Sequence, residues 1–198
     1  MQNCNISPAN MMVDSPLTPD KYLPYVYNVS WDTNNPRGKR TVALLHDDDS
    51  VTLDDAQRIT MDVYDILAKP WQKELKAARD QAGSKYRDNA EFQAASSAIL
   101  AWDGHFTPDA TATVLYKFWR LKCGKQLNLS PLGTGQPLAE EVRSTMLDLL
   151  AETITQLTEQ YGRWNVPWGE VHVVGRAGKY FPVGGADFDS GDKTANFS

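Results

Sequence analysis

Apolar residues recur at helical spacing through the middle of the chain. After Thr52, the residues Ala56, Ile59, Val63 and Ile66 share one face of a helical projection. Comparable periodicity returns four more times further along the chain. We therefore predict five helices, over Leu53–Ala68, Trp71–Gln81, Ala90–Trp102, Ala112–Cys123 and Leu138–Tyr161.

Local signals mark where these helices begin and end. Thr52 and Asp55 have the spacing of a capping box, in which the side chain of each residue bonds the backbone of the other. Pro70 is expected to end the first helix, because the residue before a proline is biased away from helical geometry. Gly124 and Gly162 are expected to end the fourth and fifth helices, since glycine readily adopts the left-handed conformation found there.

The two ends of the chain are expected to be less helical. Residues 9–51 are rich in Pro, Asn, Asp and Thr, which predicts extended and turn structure with at most a short helix near Pro19–Tyr25. Before them, Gln2–Pro8 is expected to form a short strand that runs into a turn. Near the other end, the alternating segment Glu170–Arg176 and the segment Lys179–Val183 are predicted to pair as a β-hairpin.

These patterns predict a mainly α-helical fold with short β segments at both ends. We divide the chain into a turn-rich segment, a helical subdomain, a β-hairpin segment and a flexible tail, over residues 1–51, 52–162, 163–186 and 187–198. The net charge of −5 argues against a nucleic-acid partner, because no basic face is present to neutralise phosphates. No apolar run approaches the roughly 18 residues that a membrane span requires, so no membrane partner is expected.

Metal-site and triad motifs are absent from the sequence. Cys4 and Cys123 lack the spacing of zinc ligands, and the sequence leaves open a single bridge between them. The three histidines, His46, His105 and His172, share no motif spacing with a serine and an aspartate. The acidic residues of the run Asp47–Asp49 and of the tail are expected to lie in solvated loops, because neither stretch has the Gly and Glu of a calcium loop.

Four stretches of the chain resemble, in order, the β chain of the penicillin acylase family. They are Gln-Asn-Cys-Asn-Ile-Ser-Pro at 2–8, Asn-Asn-Pro-Arg-Gly-Lys-Arg at 34–40 followed by Leu44-Leu45, Ala-Trp-Asp-Gly at 101–104, and Trp-Gly-Glu-Val-His at 168–172 continuing to Gly185. The family includes penicillin, cephalosporin and acyl-homoserine-lactone acylases. The resemblance covers nearly the whole chain and implies an internal part of the β chain of an αββα N-terminal-nucleophile hydrolase.

The resemblance implies hydrolysis of a linear acyl amide through an acyl-enzyme. In the family, the nucleophile is the N-terminal Ser, Thr or Cys of the β chain, so it is expected upstream of this chain, which would be inactive by itself. Cleavage after Asn3 would make Cys4 an N-terminal thiol. We instead interpret Cys4 as a small buried residue. The implied partners are the α chain, the preceding part of the β chain and a small acyl-amide substrate, and the implied location is periplasmic or secreted.

The resemblance also implies roles for individual residues. Asn5 corresponds to the asparagine of the oxyanion hole, and Asn3 is its supporting neighbour. Arg37 corresponds to the arginine that orients the hydrogen-bond network, with Arg40 as a competitor for that position. On composition alone, the two asparagines would simply cap a turn, and Arg37 would be a solvated cation in a loop.

No cofactor is expected from this chain. Some family members bind calcium near the active-site asparagine, so calcium is conceivable in a full-length parent, with Asp14 or Asp20 as the corresponding ligand. A second hypothesis from a different class is a non-catalytic helical interaction domain on an acylase-like scaffold. The resemblance implies that the acyl pocket is built largely from residues upstream of this chain.

Overall fold

The computed structural model describes residues 4–23, 25, 34–46 and 49–186. These residues divide into two compact units, one ending at Asp62 and the other beginning at Val63. The described part of the chain is mainly helical, with one short antiparallel sheet near its C-terminal end. No helix in this part of the chain is long and apolar enough to cross a membrane.

The first unit contains a 3-10 turn and two helices. The turn, Pro8–Asn10, is capped by the side chain of Ser7. Helix α1 spans Pro36–His46, within the stretch where we predicted extended and turn structure, and that prediction is wrong for these residues. The helix was missed because asparagine followed by proline also marks a turn, although proline fits equally well at the first position of a helix. Near Pro19–Tyr25, where a short helix was allowed, Lys21 N bonds Thr18 O in a turn.

Helix α2 spans Leu53–Thr60 and begins as predicted. The Thr52 hydroxyl accepts a hydrogen bond from Asp55 N, and the Asp55 carboxylate accepts one from Thr52 N, which confirms the capping box. The predicted end at Ala68 is wrong, because the helix stops at Thr60. 

The chain beyond α2 does not stay helical because it pairs elsewhere within the second unit. Phe106 N bonds Val63 O, and Asp65 N bonds Gly104 O, on either side of a bridge between Tyr64 and His105. A new helix then begins at Ala68, so Pro70 lies in its first turn instead of ending α2. Proline is tolerated there because the N–H groups of a first turn have no partner within the helix.

The second unit is built on four long helices, and all four were predicted. They are α3 Ala68–Gln81, α4 Ala90–Ala101, α5 Ala112–Gln126 and α7 Glu140–Tyr161. Gly162, with φ 76°, ends α7 as expected. Gly124 does not end α5, which continues past it to Gln126 and buries that glycine. A short helix, α6 Ser130–Gly133, lies in the stretch that we read as turn-rich.

Large aromatic side chains fill the core of this unit. The Trp71 and Trp119 rings meet edge to face with centroids 5.1 Å apart, and Trp119 Nε1 donates to Met146 O at 2.9 Å. Edge-to-face geometry adds to the free energy gained by burying the rings. Trp102, from the Ala-Trp-Asp-Gly stretch, lies in the same core against Phe106 and Tyr116.

The predicted hairpin is present near the C-terminal end. Strands β1 Val173–Arg176 and β2 Lys179–Pro182 pair antiparallel, and a helical turn, α8 Trp168–Val171, replaces the first residues of the predicted strand. Ala177 and Gly178 both have positive φ, as a type I′ turn requires. Of the strand expected at the other end, Gln2 and Asn3 lie outside the described residues, and Cys4–Ser7 do not form a strand.

Candidate functional site

The first turn of α1 is held by the side chain of Asn35. Its Oδ1 accepts a hydrogen bond from Gly38 N at 2.8 Å, and its carbonyl oxygen accepts one from Lys39 N at 3.0 Å. Asn35 is therefore the N-cap of α1, with Pro36 at the first helical position. The cap satisfies a backbone donor that would otherwise have no partner inside the helix.

The same side chain ties the helix to the N-terminal segment. Asn35 Nδ2 donates to Cys4 O at 2.8 Å. Beside this bond, a side chain at Gly38 would place its Cβ 2.8 Å from the Cδ1 atom of Ile6, so the absence of a side chain there is what lets Ile6 pack on the helix. Ile6 and Ser7 are buried, and the segment therefore has a fixed position against α1.

Arg37 contacts Asn5, so two of the candidate residues predicted from the sequence lie together. Its Nη2 donates to Asn5 Oδ1 at 3.0 Å and to Cys4 O at 3.2 Å. A guanidinium has only donors, so the Asn5 atom that faces it must be the amide oxygen. The Nδ2 donor of Asn5 consequently lies on the other side of its amide group, where it is oriented by Arg37 without being bonded to it.

The backbone of Asn5 supports this orientation. Its φ is 60°, in the left-handed region that asparagine adopts more readily than most residues. Both Asn5 and Arg37 are exposed side chains, so their contact lies at the surface of the first unit. An amide donor that is oriented in this way can stabilise negative charge that develops on a substrate oxygen.

Arg40, the competing arginine, has a different partner. Its Nε and Nη2 donate to the two carboxylate oxygens of Asp62 at 2.7 and 2.9 Å. This bidentate pair links α1 to the second residue after the end of α2, inside the first unit. Arg37 is thus the arginine that contacts Asn5, and Arg40 has the contacts of a structural ion pair.

The family model that describes penicillin amidase matches residues 2–197, which is nearly all of the chain. This chain belongs to the penicillin amidase family. The membership confirms the resemblance carried by the four sequence stretches and relates the chain to acylase-type amide hydrolases. Comparison with curated proteins gave no match.

Asn3 and the two cysteines are the remaining residues that the sequence singled out in this member of the penicillin amidase family. Asn3, the proposed supporting residue, lies outside the described residues, so its role stays a prediction. Cys4 is described and half-buried, and its Sγ lies 3.7 Å from Thr41 Oγ1. Cys4 and Cys123 are both free thiols. Burial raises the pKa of the Cys123 thiol, which disfavours its reactive thiolate form.

Calcium binding stays a prediction for the penicillin amidase parent. Among residues 4–23, 25, 34–46 and 49–186, no group of three or more His, Cys, Asp or Glu side chains could hold a metal ion. Asp14 has φ 51°, in the left-handed region. Asp47, Asp48 and the acidic tail lie outside the described part of the chain.

Sequence reasoning missed Asn35, which belongs to the same arrangement. We read it as part of a turn, whereas its side chain bonds both the helix and the N-terminal segment. The available signal was its position directly before a proline that could open a helix. Recognising that signal would have predicted the cap, but not the bond to Cys4 O, which crosses 31 positions of the sequence.

Proposed function

We propose that this chain supplies the oxyanion-stabilising part of an amidohydrolase that cleaves a linear acyl-amide bond. The observation that supports the proposal is the hydrogen bond from Arg37 Nη2 to Asn5 Oδ1, at 3.0 Å, in a member of the penicillin amidase family. In this proposal Asn5 donates to the reacting oxygen, Arg37 orients the Asn5 amide, and Asn3 supports the same segment.

The proposed reaction runs through an acyl-enzyme. An N-terminal serine of the parent, upstream of this segment, adds through Oγ to the carbonyl carbon of the amide, while its own α-amino group accepts the hydroxyl proton. The carbonyl oxygen becomes an oxyanion, which Asn5 Nδ2 stabilises. Collapse of this intermediate breaks the C–N bond, and the amine leaves with the transferred proton. Water then adds to the ester carbon, and the acid leaves as the serine hydroxyl is restored.

Asn5 is suited to this role because its donor is oriented before the substrate arrives. A preorganised donor stabilises the charged intermediate without a cost of reorientation during the reaction, and removing one such donor typically lowers kcat by about 10²–10³-fold. The proposed partners are the remainder of the same acylase and a small acyl-amide substrate. The proposed location of the parent is periplasmic or secreted.

The test is substitution at Asn5 in the full-length parent, assayed with acyl 4-nitroanilides. Asn5→Ala removes the donor, and we expect kcat to fall by about 10²–10³-fold. Asn5→Asp keeps an oxygen for Arg37 but replaces the Nδ2 donor with an acceptor, so we expect a loss of similar size. Asn128→Ala, at an exposed asparagine in the second unit, is the matched control and should leave kcat unchanged.

Two results would contradict the proposal. Turnover by Asn5→Ala within about threefold of the wild-type rate would remove Asn5 from the oxyanion hole, since that ratio corresponds to less than about 1 kcal/mol. A full-length parent that folds but hydrolyses no acyl amide would favour the second hypothesis, a non-catalytic interaction domain on the acylase scaffold.

A further inference from the structure

An open groove of about 900 Å³ runs beside α3 and α4 in the second unit. Its cationic side chains come mainly from α3, with one more from the turn that follows the helix: Lys69, Lys73, Lys76, Arg79 and Arg87. Asp80 is the one carboxylate among the lining residues that are described, so this lining has a formal charge of +4. The chain as a whole has a net charge of −5, so the groove is opposite in sign to the rest of the molecule.

Most of this positive charge has no carboxylate partner within the described residues. Lys76 pairs with Asp80 at 2.7 Å, in an exposed bridge. Arg79 donates to the neutral side chains of Ser97 and Gln93, which satisfies two of its N–H donors without neutralising its charge. Lys69, Lys73 and Arg87 are exposed and form no ion pair within 4–23, 25, 34–46 and 49–186.

The cations are arranged in a row instead of around a point. From Lys69 to Lys73 the helix rises by about 6 Å, and from Lys69 to Arg79 by about 15 Å. Alternate residues of an extended polypeptide lie about 6.6 Å apart, which is close to the first of these separations. A volume of about 900 Å³ is also at the upper end of the range for ligand sites, so a single small anion would fill little of the groove.

The inner wall of the groove offers an aromatic surface. The rings of Tyr86 and Phe92 stack with centroids 4.1 Å apart and an interplanar angle of 13°. Phe92 is buried, and Lys85 Nζ lies 5.5 Å from the centroid of the Tyr86 ring. Tyr86 is partly exposed, so an apolar side chain can contact the exposed part of this tyrosine. The groove therefore combines a row of cations with an apolar contact, which suits a segment that alternates acidic and apolar residues.

We propose that this groove binds an extended, acidic polypeptide segment. Carboxylates at alternate positions face Lys69 and Lys73, and an intervening apolar side chain contacts Tyr86. A nucleic acid has the same charge but is disfavoured by the net charge of −5, which repels a long polyanion outside the groove. The proposal concerns only the second unit and does not depend on the hydrolase function proposed above.

The test is fluorescence anisotropy with the complete chain and a labelled octapeptide of alternating Glu and Val. We expect saturable binding that weakens at least about tenfold when the salt concentration rises from about 0.05 to about 0.5 M, because exposed charges are then screened. The double substitution Lys69→Glu with Lys73→Glu should weaken binding at least about tenfold. Lys125→Glu with Lys179→Glu makes the same change in net charge at exposed lysines of the same unit that do not line the groove, and should weaken binding much less.

Two further probes distinguish the proposed occupant from others. An octapeptide with four Glu followed by four Val should bind more weakly, because its carboxylates do not match the spacing of the row. Equal binding of both peptides, equal loss in the two double variants, or no binding at all would overturn the proposal. Tighter binding of single-stranded DNA that is lost in the Lys69 and Lys73 double variant would assign the groove to nucleic acid instead.

Discussion

Arg37 donates a hydrogen bond to the amide oxygen of Asn5 at 3.0 Å, although 32 positions separate the two residues in the sequence. The same Nη2 atom also donates to Cys4 O, the carbonyl oxygen that accepts a second hydrogen bond from Asn35 Nδ2. One backbone oxygen is therefore held by two side chains from the start of α1. This arrangement gives the proposed oxyanion donor a defined direction.

Replacing Arg37 should slow turnover more than it weakens substrate binding. Arg37→Lys keeps the charge but loses the planar group whose nitrogen lies between Asn5 Oδ1 and Cys4 O, so we expect kcat of the full-length parent to fall about tenfold or more with little change in KM. Steady-state kinetics with an acyl 4-nitroanilide would measure both. The control is Arg176→Lys, at an exposed arginine of the hairpin. An unchanged kcat in Arg37→Lys would show that Asn5 does not need this contact.

Replacing Asn35 should separate the helix cap from the bond to Cys4. Asn35→Ala removes both and should lower the free energy of unfolding of the first unit by about 1–2 kcal/mol. Asn35→Asp keeps an oxygen for Gly38 N but loses the donor to Cys4 O. We therefore expect the Gly38 amide to exchange with solvent faster in Asn35→Ala and to stay protected in Asn35→Asp, as measured by hydrogen exchange. Equal protection of Gly38 in all three proteins would contradict the cap assignment.

Breaking the buried ion pair in the second unit should cost far more than breaking an exposed one. Arg120 Nη1 lies 2.5 Å from Asp65 Oδ2, and the two side chains are only 7% and 14% exposed. Arg120→Met leaves the carboxylate buried without its charge partner, so we expect a loss of about 3–5 kcal/mol in urea denaturation. The Tyr116 hydroxyl, which also donates to Asp65, cannot replace a full positive charge.

The matched control for Arg120 is Lys76→Ala, which breaks an exposed pair whose side chains are 68% and 65% accessible. Its cost should stay below about 0.5 kcal/mol, because solvent and salt screen the two charges. Adding Asp65→Asn to Arg120→Met should recover part of the lost stability, since the amide removes the unpaired charge. Similar losses in Arg120→Met and Lys76→Ala would show that burial adds nothing to the first pair.

Cys123 should make the second unit less stable at alkaline pH. Burial raises the pKa of its thiol in the folded state above the value of about 8.5 for an unfolded chain. Below about pH 8.5 the thiol is protonated in both states and stability is unaffected. As the pH rises further, the unfolded chain loses this proton while the folded chain retains it, so unfolding becomes more favourable, by at most about 1.4 kcal/mol per pH unit.

The measurement is the free energy of unfolding between about pH 7 and 10, for the wild type and for Cys123→Ala. The variant should show a shallower decline, because it lacks the Cys123 thiol. It retains every other titrating group, including Cys4, so the difference between the two curves reports on Cys123 alone. Native Cys123 should also resist iodoacetamide until denaturant is added. Parallel pH curves together with fast labelling of native Cys123 would contradict the buried position of the thiol.

Some helix boundaries were predicted correctly from local signals, although Pro70 and Gly124 did not end helices. The capping box of Thr52 and Asp55 and the left-handed end at Gly162 each depend on a few neighbouring residues, and both are present. The hairpin turn at Ala177 and Gly178 is local in the same sense. The start of α1 was missed because asparagine before proline is compatible with both a turn and a helix cap.

The sequence by itself determined the family, the long helices of the second unit and the identity of Asn5 and Arg37 as candidate residues. These depend on residue order and short-range periodicity, which the chain contains before it folds. Tertiary structure decided that α2 stops at Thr60, because Val63 and Asp65 pair with residues some 40 positions away. It also decided that Arg37 contacts Asn5 while Arg40 binds Asp62. Two arginines three residues apart look equivalent in sequence, and only the packing of the N-terminal segment on α1 distinguishes them.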